Sequence, residues 1–322
     1  MKKPDTAHQA AWLAACLTAL YTLCLLAISL WRNDGTFVYA LDDPYIHLDL
    51  AKQIATTGVY GVNPGEISSP SSSILWPFLL VPFALTPFFV YMPFIIGLVS
   101  AAASAAVLVR LCPPGMNKAG STALSLFGVL LLNLPGLAFI GMEHGLHILL
   151  SLLAAYGCLQ VIQGGKPPAW LWLVIFLHPM LRYEGVIVSG AALAILLRFG
   201  YWRQVFTTGA LLCLPIAAFT AFLYLHGLGL VPSSTIVKKL NFSHGLSGYG
   251  NFWLLTLMVG VKSTGGMAII TATFCLLLWC AGTVSHFKKQ SWFILLILTG
   301  VMAGHILLGR LSTWEAPRYD YY

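Results

Sequence analysis

Residues 10–31 read AAWLAACLTALYTLCLLAISLW, a run that contains no charged side chain. A helix needs about 20 apolar residues to span the hydrocarbon core of a bilayer, where no water is present to bind the backbone. A secretory signal peptide has a shorter apolar region followed by a small-residue cleavage site, and neither property is found here. The run is therefore predicted to be a retained first transmembrane helix, with its N-terminus in the cytoplasm.

The whole chain has the same apolar character. Of its 322 residues, 58% are hydrophobic and 8% are charged, whereas soluble globular domains contain about 25% charged residues. The apolar runs are long and do not alternate with polar residues, which favours helices over a β-barrel. We therefore predict an all-α polytopic membrane protein. The net charge of +7 comes from basic residues scattered between the apolar runs, which is not the basic patch of a nucleic-acid-binding protein.

Nine spanning helices are predicted, placed so that the loops on the inner side hold most basic residues, as the positive-inside rule requires. With this topology all acidic residues except Asp5 fall on the outer side. Acidic residues have little effect on membrane insertion, so their position calls for another explanation. The predicted spans are 10–31, 92–111, 120–139, 145–162, 169–182, 186–199, 207–230, 264–283 and 291–309.

Two apolar stretches allow more than one interpretation. The stretch 74–112 has room for two helices, but a single span at 92–111 keeps the following basic loop inside, and 72–85 would then lie along the membrane surface. Likewise, 169–199 could form one long helix. A hairpin that turns at 182–185 keeps both flanking basic loops inside, and it is the prediction adopted.

The first outer loop, 32–91, contains the most suggestive polar motif, Asp42-Asp43-Pro44. An aspartate followed by proline is typical of a helix start, and Gly58 is typical of a helix end. The segment between them is predicted to be an amphipathic helix on the membrane surface, with one apolar stripe. The residues of that stripe are Ile46, Leu50 and Ile54.

Either aspartate of this motif is a candidate catalytic residue. Charged groups near the ends of transmembrane helices are costly and therefore indicate a function. One aspartate is enough to cap a helix, so the second carboxylate of the pair Asp42 and Asp43 is available as a general base. The alternative, that both residues only begin the helix, stays open at this point.

Two further polar motifs follow on the predicted outer side. Glu143 and His144 lie at the start of the fourth span, where Glu143 could simply cap the helix. Arg182 and Glu184 lie at the turn of the hairpin, where they could form an ion pair that holds it together. Such an ion pair is also compatible with an arginine that is oriented toward a phosphate.

The C-terminal third contributes more cations to the same side. Lys238 follows the seventh predicted span, and a lysine on the outer side favours an anionic ligand such as a phosphate, although a solvated lysine is the simpler alternative. Arg318 and Tyr319 lie near the C-terminus, where a disordered end is the alternative.

Several familiar functional motifs are missing. The sequence contains no Walker A motif, nucleophile elbow, HExxH motif or dinucleotide fingerprint. Its seven cysteines show no metal-binding spacing. Few ionisable residues lie in the middle of the predicted spans, where a proton-coupled or ion-coupled transporter would need them.

Five short stretches carry a resemblance to a known family. They are Leu41-Asp42-Asp43-Pro44-Tyr45-Ile46, Asn63-Pro64-Gly65-Glu66 with Ser69-Pro70 and Leu75-Trp76, Gly141-Met142-Glu143, Arg182-Tyr183-Glu184-Gly185, and Pro232-Ser233-Ser234-Thr235 with Lys238. In this order they resemble motifs of the GT-C superfamily of polyprenyl-phosphate-sugar-dependent glycosyltransferases, and in particular bacterial arabinofuranosyl- and mannosyltransferase-like membrane proteins. The resemblance covers roughly residues 40–320.

The resemblance implies a GT-C-like helical bundle that transfers a sugar, with inversion, from a polyprenyl-phosphate donor to a glycan, lipid or protein acceptor. The reaction would take place on the outer, periplasmic face of the inner membrane, with Asp43, or else Asp42, as general base. No cofactor and no nucleic-acid partner is implied, although an aspartate pair could hold a divalent cation. The implied residues for the donor phosphate and sugar are Lys238, Arg182, Arg318, Glu143, His144, Glu184 and Tyr319.

The chain departs from the family pattern at three places. Tyr183 stands where the family usually has proline, and Ser233-Ser234 replaces other polar residues, so the resemblance does not identify the sugar. Family members usually continue into further helices after a segment such as Arg318-Tyr319. The resemblance therefore implies either a missing C-terminal continuation or a short, inactive member. A flippase or transporter for lipid-linked sugars, and a catalytically inactive membrane subunit, are the alternative functions.

Overall fold

The computed structural model describes residues 6–113 and 115–229, which lie in the first of the two units into which the chain divides, Met1–Lys238. These residues form α-helices and short 3-10 turns without any β-strand, which confirms the all-α prediction for them. The predicted spans 264–283 and 291–309 lie outside the described residues. The helices are α1 Thr6–Arg32, α2 Asp43–Thr57, α3 Leu75–Leu80, α4 Met92–Leu111, α5 Lys118–Leu131, α6 Leu134–Ile140, α7 His144–Ile162, α8 Ala169–Leu181, α9 Gly185–Arg198 and α10 Trp202–Leu225.

Five segments of this part of the chain are long and apolar enough to cross a membrane. Helices α8 and α9 are also apolar but have only 13 and 14 residues. Large apolar side chains point outward from the bundle, such as Trp12 and Leu214, each 63% exposed. Only lipid covers such a surface favourably, so the chain is a polytopic membrane protein. The five segments are Thr6–Arg32, Phe89–Leu111, Lys118–Ile140, His144–Ile162 and Trp202–Leu225.

The prediction of one span within 74–112 is confirmed, because α4 occupies 92–111. The residues before it form the short helix α3 and two 3-10 turns. Trp76 and Leu80 of α3 are completely buried, and α3 contacts α2 and α8. The predicted surface segment 72–85 is therefore packed on other parts of the protein.

The predicted span 120–139 lies within the apolar segment Lys118–Ile140, but it is not one continuous helix, since the chain forms α5 and α6 with a break at Asn133. Asn133 adopts a left-handed conformation, with φ of 48°, which asparagine tolerates better than most residues. Pro135 follows in the first turn of α6, where its missing N–H needs no helical acceptor. Because the apolar pattern continues across Asn133, it does not reveal this break.

The predicted span 207–230 is displaced, because α10 begins at Trp202 and ends at Leu225. The apolar pattern places polar residues such as Arg203 in the preceding loop, but they lie in the first turn of α10, where polar side chains are tolerated. The helix ends before Gly227, which has a φ of 73°. A glycine in the left-handed region just after the last turn is a common helix terminator.

The helices of the bundle pack through small residues. Helix α1 packs on α4 and α5, where Ala10, Ala14 and Ala105 are fully buried. The Ser125 hydroxyl of α5 donates a hydrogen bond of 2.7 Å to the Ala105 carbonyl of α4. Small side chains let helix backbones approach closely, which is how helices associate in lipid without a hydrophobic driving force between them.

Helix α2 has the predicted start and end but buries a different face. It begins at Asp43 and ends at Gly58, which has a φ of 71°. Of the predicted stripe, Leu50 is buried and Ile46 is 36% exposed. The helix buries its inward face against the protein, whereas the apolar periodicity alone had indicated a face for the membrane. That buried face consists of Pro44, His47, Leu48, Leu50 and Ala51.

Gly97 tests the close packing of α4 on α6. A Cβ atom at Gly97 would lie 2.8 Å from the Ala138 Cα, so one helix would have to move. We expect Gly97→Ala to lower the free energy of unfolding by about 1–3 kcal/mol through overpacking. The matched control is Gly190→Ala in α9, where a Cβ meets nothing within 4 Å. Titration with a denaturing detergent should show Gly190→Ala equal to or more stable than the wild type; equal destabilisation by both would contradict this packing.

Candidate functional site

A buried cluster of three charged residues joins the start of α7 to the turn between α8 and α9. The Arg182 Nη1 atom lies 2.6 Å from the Glu143 Oε1 atom, and its Nη2 atom lies 3.0 Å from the Glu184 Oε1 atom. The Glu143 side chain is completely buried, and those of Arg182 and Glu184 are 15% and 9% exposed. A guanidinium between two carboxylates thus connects three helices at one end of the bundle.

The local backbone explains why these side chains converge. Helix α6 ends at Gly141, whose φ of 66° turns the chain sharply into α7. Glu143 occupies the residue before α7, but its carboxylate makes no cap hydrogen bond and binds Arg182 instead. Arg182 leaves α8 in an extended conformation, and its carbonyl accepts a 2.8 Å hydrogen bond from the Gly185 N–H. The ion pair considered for the hairpin is present, and the alternative that Glu143 caps α7 is wrong.

Opposite charges keep this cluster ionised. Burial is the largest single effect and raises the pKa of the Glu143 carboxyl, but the positive charge of Arg182 and the smaller lowering effects together leave that pKa below its ordinary value. His144 and His47, when protonated, contribute in the same direction. For Arg182, burial lowers the pKa of the guanidinium and the carboxylates of Glu143 and Glu184 raise it by more. The cluster therefore holds two negative charges and one positive charge at neutral pH.

His144 adds a polar contact to the cluster. Its Nε2 atom lies 3.0 Å from the Arg182 Nη1 atom. A guanidinium has only donors, so Nε2 is the acceptor in this contact. Sequence reasoning had named His144 as a candidate, and the structure places it beside Arg182.

A pair of histidines, which the sequence pattern did not reveal, lies next to the cluster. The rings of His147 and His178 are 4.2 Å apart. The His178 Nε2 atom lies 3.1 Å from the Ser151 Oγ atom and 3.3 Å from the His147 carbonyl oxygen, so it carries a proton and donates. The spacing offered a signal, because His147 follows His144 by three residues, and His178 precedes Arg182 by four. Both intervals put side chains on one helix face.

The acidic motif lies directly against the turn that carries Glu143. A Cβ atom at Gly141 would lie 2.5 Å from the Cδ1 and Cε1 atoms of Tyr39 and 2.9 Å from the Pro44 Cγ atom. The Ala40 N–H donates a 3.0 Å hydrogen bond to the Phe139 carbonyl. The segment 39–44, which contains both aspartates, is thus packed against the end of α6 and the first residue after it.

Tyr39 anchors this segment from its other side. Its hydroxyl donates a 2.6 Å hydrogen bond to the Val90 carbonyl and accepts one of 3.2 Å from the Phe94 N–H. Burial raises the pKa of the Tyr39 hydroxyl far above its ordinary value, so the group stays protonated and can donate. Sequence reasoning did not single out Tyr39, since nothing in its neighbourhood distinguishes it from other aromatic residues.

The two aspartates differ in their surroundings. Asp42 is exposed and Asp43 is half-buried, and neither carboxylate pairs with any residue in the described ranges. The Asp42 side chain does not cap α2, so a purely capping role for Asp42 is wrong. Asp43 shares a helix face with His47, which follows four residues later and is 4% exposed. His47 lies close enough to Glu143 for its charge to lower the pKa of that carboxyl.

The serine-rich loop is tied to the same end of the bundle. The Ser73 hydroxyl accepts a 2.9 Å hydrogen bond from the Trp76 N–H and thereby starts α3. The Ile74 N–H donates a 3.0 Å hydrogen bond to the carbonyl of Met180, two residues before Arg182. The loop that contains the predicted Asn63-Pro64-Gly65-Glu66 motif therefore returns to the hairpin turn.

The remaining predicted residues, Lys238, Arg318 and Tyr319, lie outside the described residues. Within the described ranges, no group of three or more His, Cys, Asp or Glu side chains is arranged to hold a metal ion. No family model, curated protein or solved structure matches the chain. The site is therefore interpreted from its own geometry.

Gly141 provides a test of the contact between the acidic motif and the Glu143 turn. Alanine at this position would have to adopt a φ of 66° and would also collide with Tyr39 and Pro44. Gly58→Ala is the matched control, because its φ is 71° but a Cβ there meets nothing within 4 Å. We expect Gly141→Ala to be less stable than Gly58→Ala by about 2 kcal/mol. Unfolding in detergent micelles measures the difference, and equal values would mean that the contact is absent.

The buried carboxylate of Glu143 predicts a specific pH dependence. Because the pKa of Glu143 is lowered by folding, its contribution to stability is complete above the ordinary value of 4.5 and is lost as the pH falls through the lower folded value. We expect Glu143→Gln to cost about 3 kcal/mol at neutral pH. The difference from the wild type should shrink below pH 4.5.

Stability measured by detergent-induced unfolding between acidic and neutral pH checks this dependence. Glu66→Gln is the control, because Glu66 is exposed and its carboxylate, among the described residues, accepts a single hydrogen bond, from Asn63. That control should track the wild type at every pH. A Glu143→Gln deficit that stays constant down to strongly acidic pH would contradict an ionised Glu143.

Proposed function

We propose that the chain is a membrane glycosyltransferase that takes a sugar from a polyprenyl-phosphate donor. The observation that carries the proposal is the position of the Asp42 and Asp43 carboxylates, which pair with no residue of 6–113 and 115–229. They lie on a segment that is packed, through Gly141, against the buried Glu143 and Arg182 pair. Three motifs from distant parts of the sequence, which each resemble a motif of the same family, thus meet at one end of the bundle.

The proposed reaction needs one proton acceptor on the protein. The acceptor hydroxyl forms a bond to the anomeric carbon, the bond from that carbon to the phosphate oxygen breaks, and the lipid phosphate leaves with the bonding electrons. A carboxylate takes the hydroxyl proton. Asp43 is the favoured base because it is half-buried on the His47 face of α2, whereas Asp42 is exposed.

The distribution of charge supports an outer location for this site. The ends of the helices opposite the cluster carry the basic residues Arg110, Lys118, Lys166, Arg198 and Arg203. Cytoplasmic loops of membrane proteins are enriched in lysine and arginine. We therefore assign the cluster and the acidic motif to the periplasmic face of the cell membrane, where lipid-linked sugars would be donors.

The leaving phosphate requires positive charge as the donor bond breaks. Lys238 and Arg318 are proposed to supply it and Tyr319 to contribute to sugar binding; all three lie outside the described residues. His144 and Glu184 are proposed to shape the sugar-binding side of the site, since both contact Arg182. No nucleotide is required, because the donor phosphate ester already carries the energy for the transfer.

The test uses the purified full chain in lipid nanodiscs with radiolabelled polyprenyl-phosphate arabinose, mannose and glucose, and a membrane extract as acceptor. We expect the wild type to transfer label from at least one donor. Asp43→Asn should lower kcat by about 100- to 10,000-fold, the usual contribution of a general base. Asp49→Asn is the matched control, because Asp49 is exposed on the same helix, and its kcat should stay near that of the wild type.

Three other outcomes have distinct meanings. A large loss in Asp42→Asn with normal Asp43→Asn would transfer the role of base to Asp42. Normal activity in both variants would remove the motif from catalysis. If no donor gives transfer, but the protein moves a fluorescent lipid-linked sugar across liposomes, it is a transporter and the proposal is wrong.

A further inference from the structure

The hydrogen-bonding capacity of Arg182 is largely used within the protein. Its Nη1 atom contacts Glu143 and His144, and its Nη2 atom contacts Glu184. These contacts use three of the five N–H groups of a guanidinium. A ligand phosphate would have to compete with them in a region where the arginine side chain is only 15% exposed.

The charge around Arg182 also opposes an anionic ligand. Two carboxylates, those of Glu143 and Glu184, surround the one guanidinium of Arg182. The group therefore carries a net negative charge of one. Adding a phosphate anion to a buried group that is already negative would incur repulsion and desolvation together.

The same residues are mechanically connected to the proposed base. Glu143 lies two residues after Gly141, and Gly141 is in contact with Tyr39 and Pro44 on either side of the two aspartates. Tyr39 and Pro44 leave no room for a Cβ at Gly141, so a shift of the Glu143 turn toward them would displace them. His47, one helical turn farther along α2, is also buried.

We propose that Arg182 is a positioning residue, which fixes the Glu143 turn and through it the segment that carries Asp42 and Asp43, and that the donor phosphate is bound by other cations. The catalytic consequence rests on the proposed function. The structural consequence is the stability of segment 37–54, and it does not rest on the proposed function.

Hydrogen exchange of the full chain in detergent measures that stability directly. We expect peptides from 37–54 to exchange about tenfold or more faster in Glu143→Gln and in Arg182→Lys than in the wild type, as loss of a buried ion-pair partner implies. The double variant, with both Glu143→Gln and Arg182→Lys, should exchange no faster than the faster single variant, because both changes break the same ion pair. Peptides from α4 serve as the internal reference for folding, and Glu66→Gln is the control with an exposed glutamate.

Binding of a short-chain polyprenyl phosphate separates positioning from phosphate binding. If Arg182 is a positioning residue, the affinity of the protein for this probe stays near the wild-type value in both Glu143→Gln and Arg182→Lys. If Arg182 is a phosphate ligand, Glu143→Gln frees the guanidinium and tightens binding, and Arg182→Lys weakens it. That second pattern, with unchanged exchange in 37–54, would overturn the inference.

If the wild type transfers sugar, kcat and the KM for the donor provide a further test. Glu143→Gln should lower kcat per folded molecule and leave the KM for the donor unchanged, whereas Glu66→Gln should change neither. A raised donor KM with normal kcat would indicate lost donor binding and would overturn the inference. The exchange and probe-binding measurements need no turnover, so a wild type without transferase activity would refute the proposed function and leave the positioning role to be judged by exchange.

Discussion

A buried guanidinium is tolerable only when carboxylates surround it, and this requirement governs the arrangement of the polar end of the bundle. Arg182 comes from the end of α8, Glu143 from the start of α7 and Glu184 from the start of α9. Breaking any one of these contacts would leave a charge in a poorly hydrated place. The helix ends must therefore stay in register with one another, and the acidic segment that rests on Gly141 takes its position from them.

Much of the fold could be read from the sequence, because lipid demands long apolar runs whose limits are visible. Helix α4 has the predicted limits, and α7 and α9 begin within one residue of theirs. The errors arose where local backbone chemistry overrode the apolar pattern. A left-handed Asn133 ahead of Pro135 interrupts a continuous apolar run, and α2 buries a face chosen by its protein contacts, which periodicity does not reveal.

The components of the site were also visible in the sequence, but their partners were not. Glu143, Arg182 and Glu184 were recognisable because charges are rare in such a chain. Their pairing across 39 positions depends on how α7 and α8 pack, which no local pattern encodes. Tyr39, His147 and His178 were missed for a related reason. Their contacts depend on how α7 packs on α8 and on how the loop before α2 meets α4, and these contacts identify them only in three dimensions.

The short helices α8 and α9 have a further consequence for the lipid. At about 1.5 Å per residue, the 13 residues of α8 reach about 20 Å, well short of a hydrocarbon core of about 30 Å. Hydrophobic mismatch of this size is relieved by a thinner bilayer around the hairpin or by a turn that sits below the headgroup level. For a hairpin that crosses the bilayer as predicted, both cases would bring the turn at Arg182 to the depth at which lipid headgroups and upper acyl chains meet. A long-chain lipid could then approach this end of the bundle sideways, without withdrawing its tail from the leaflet.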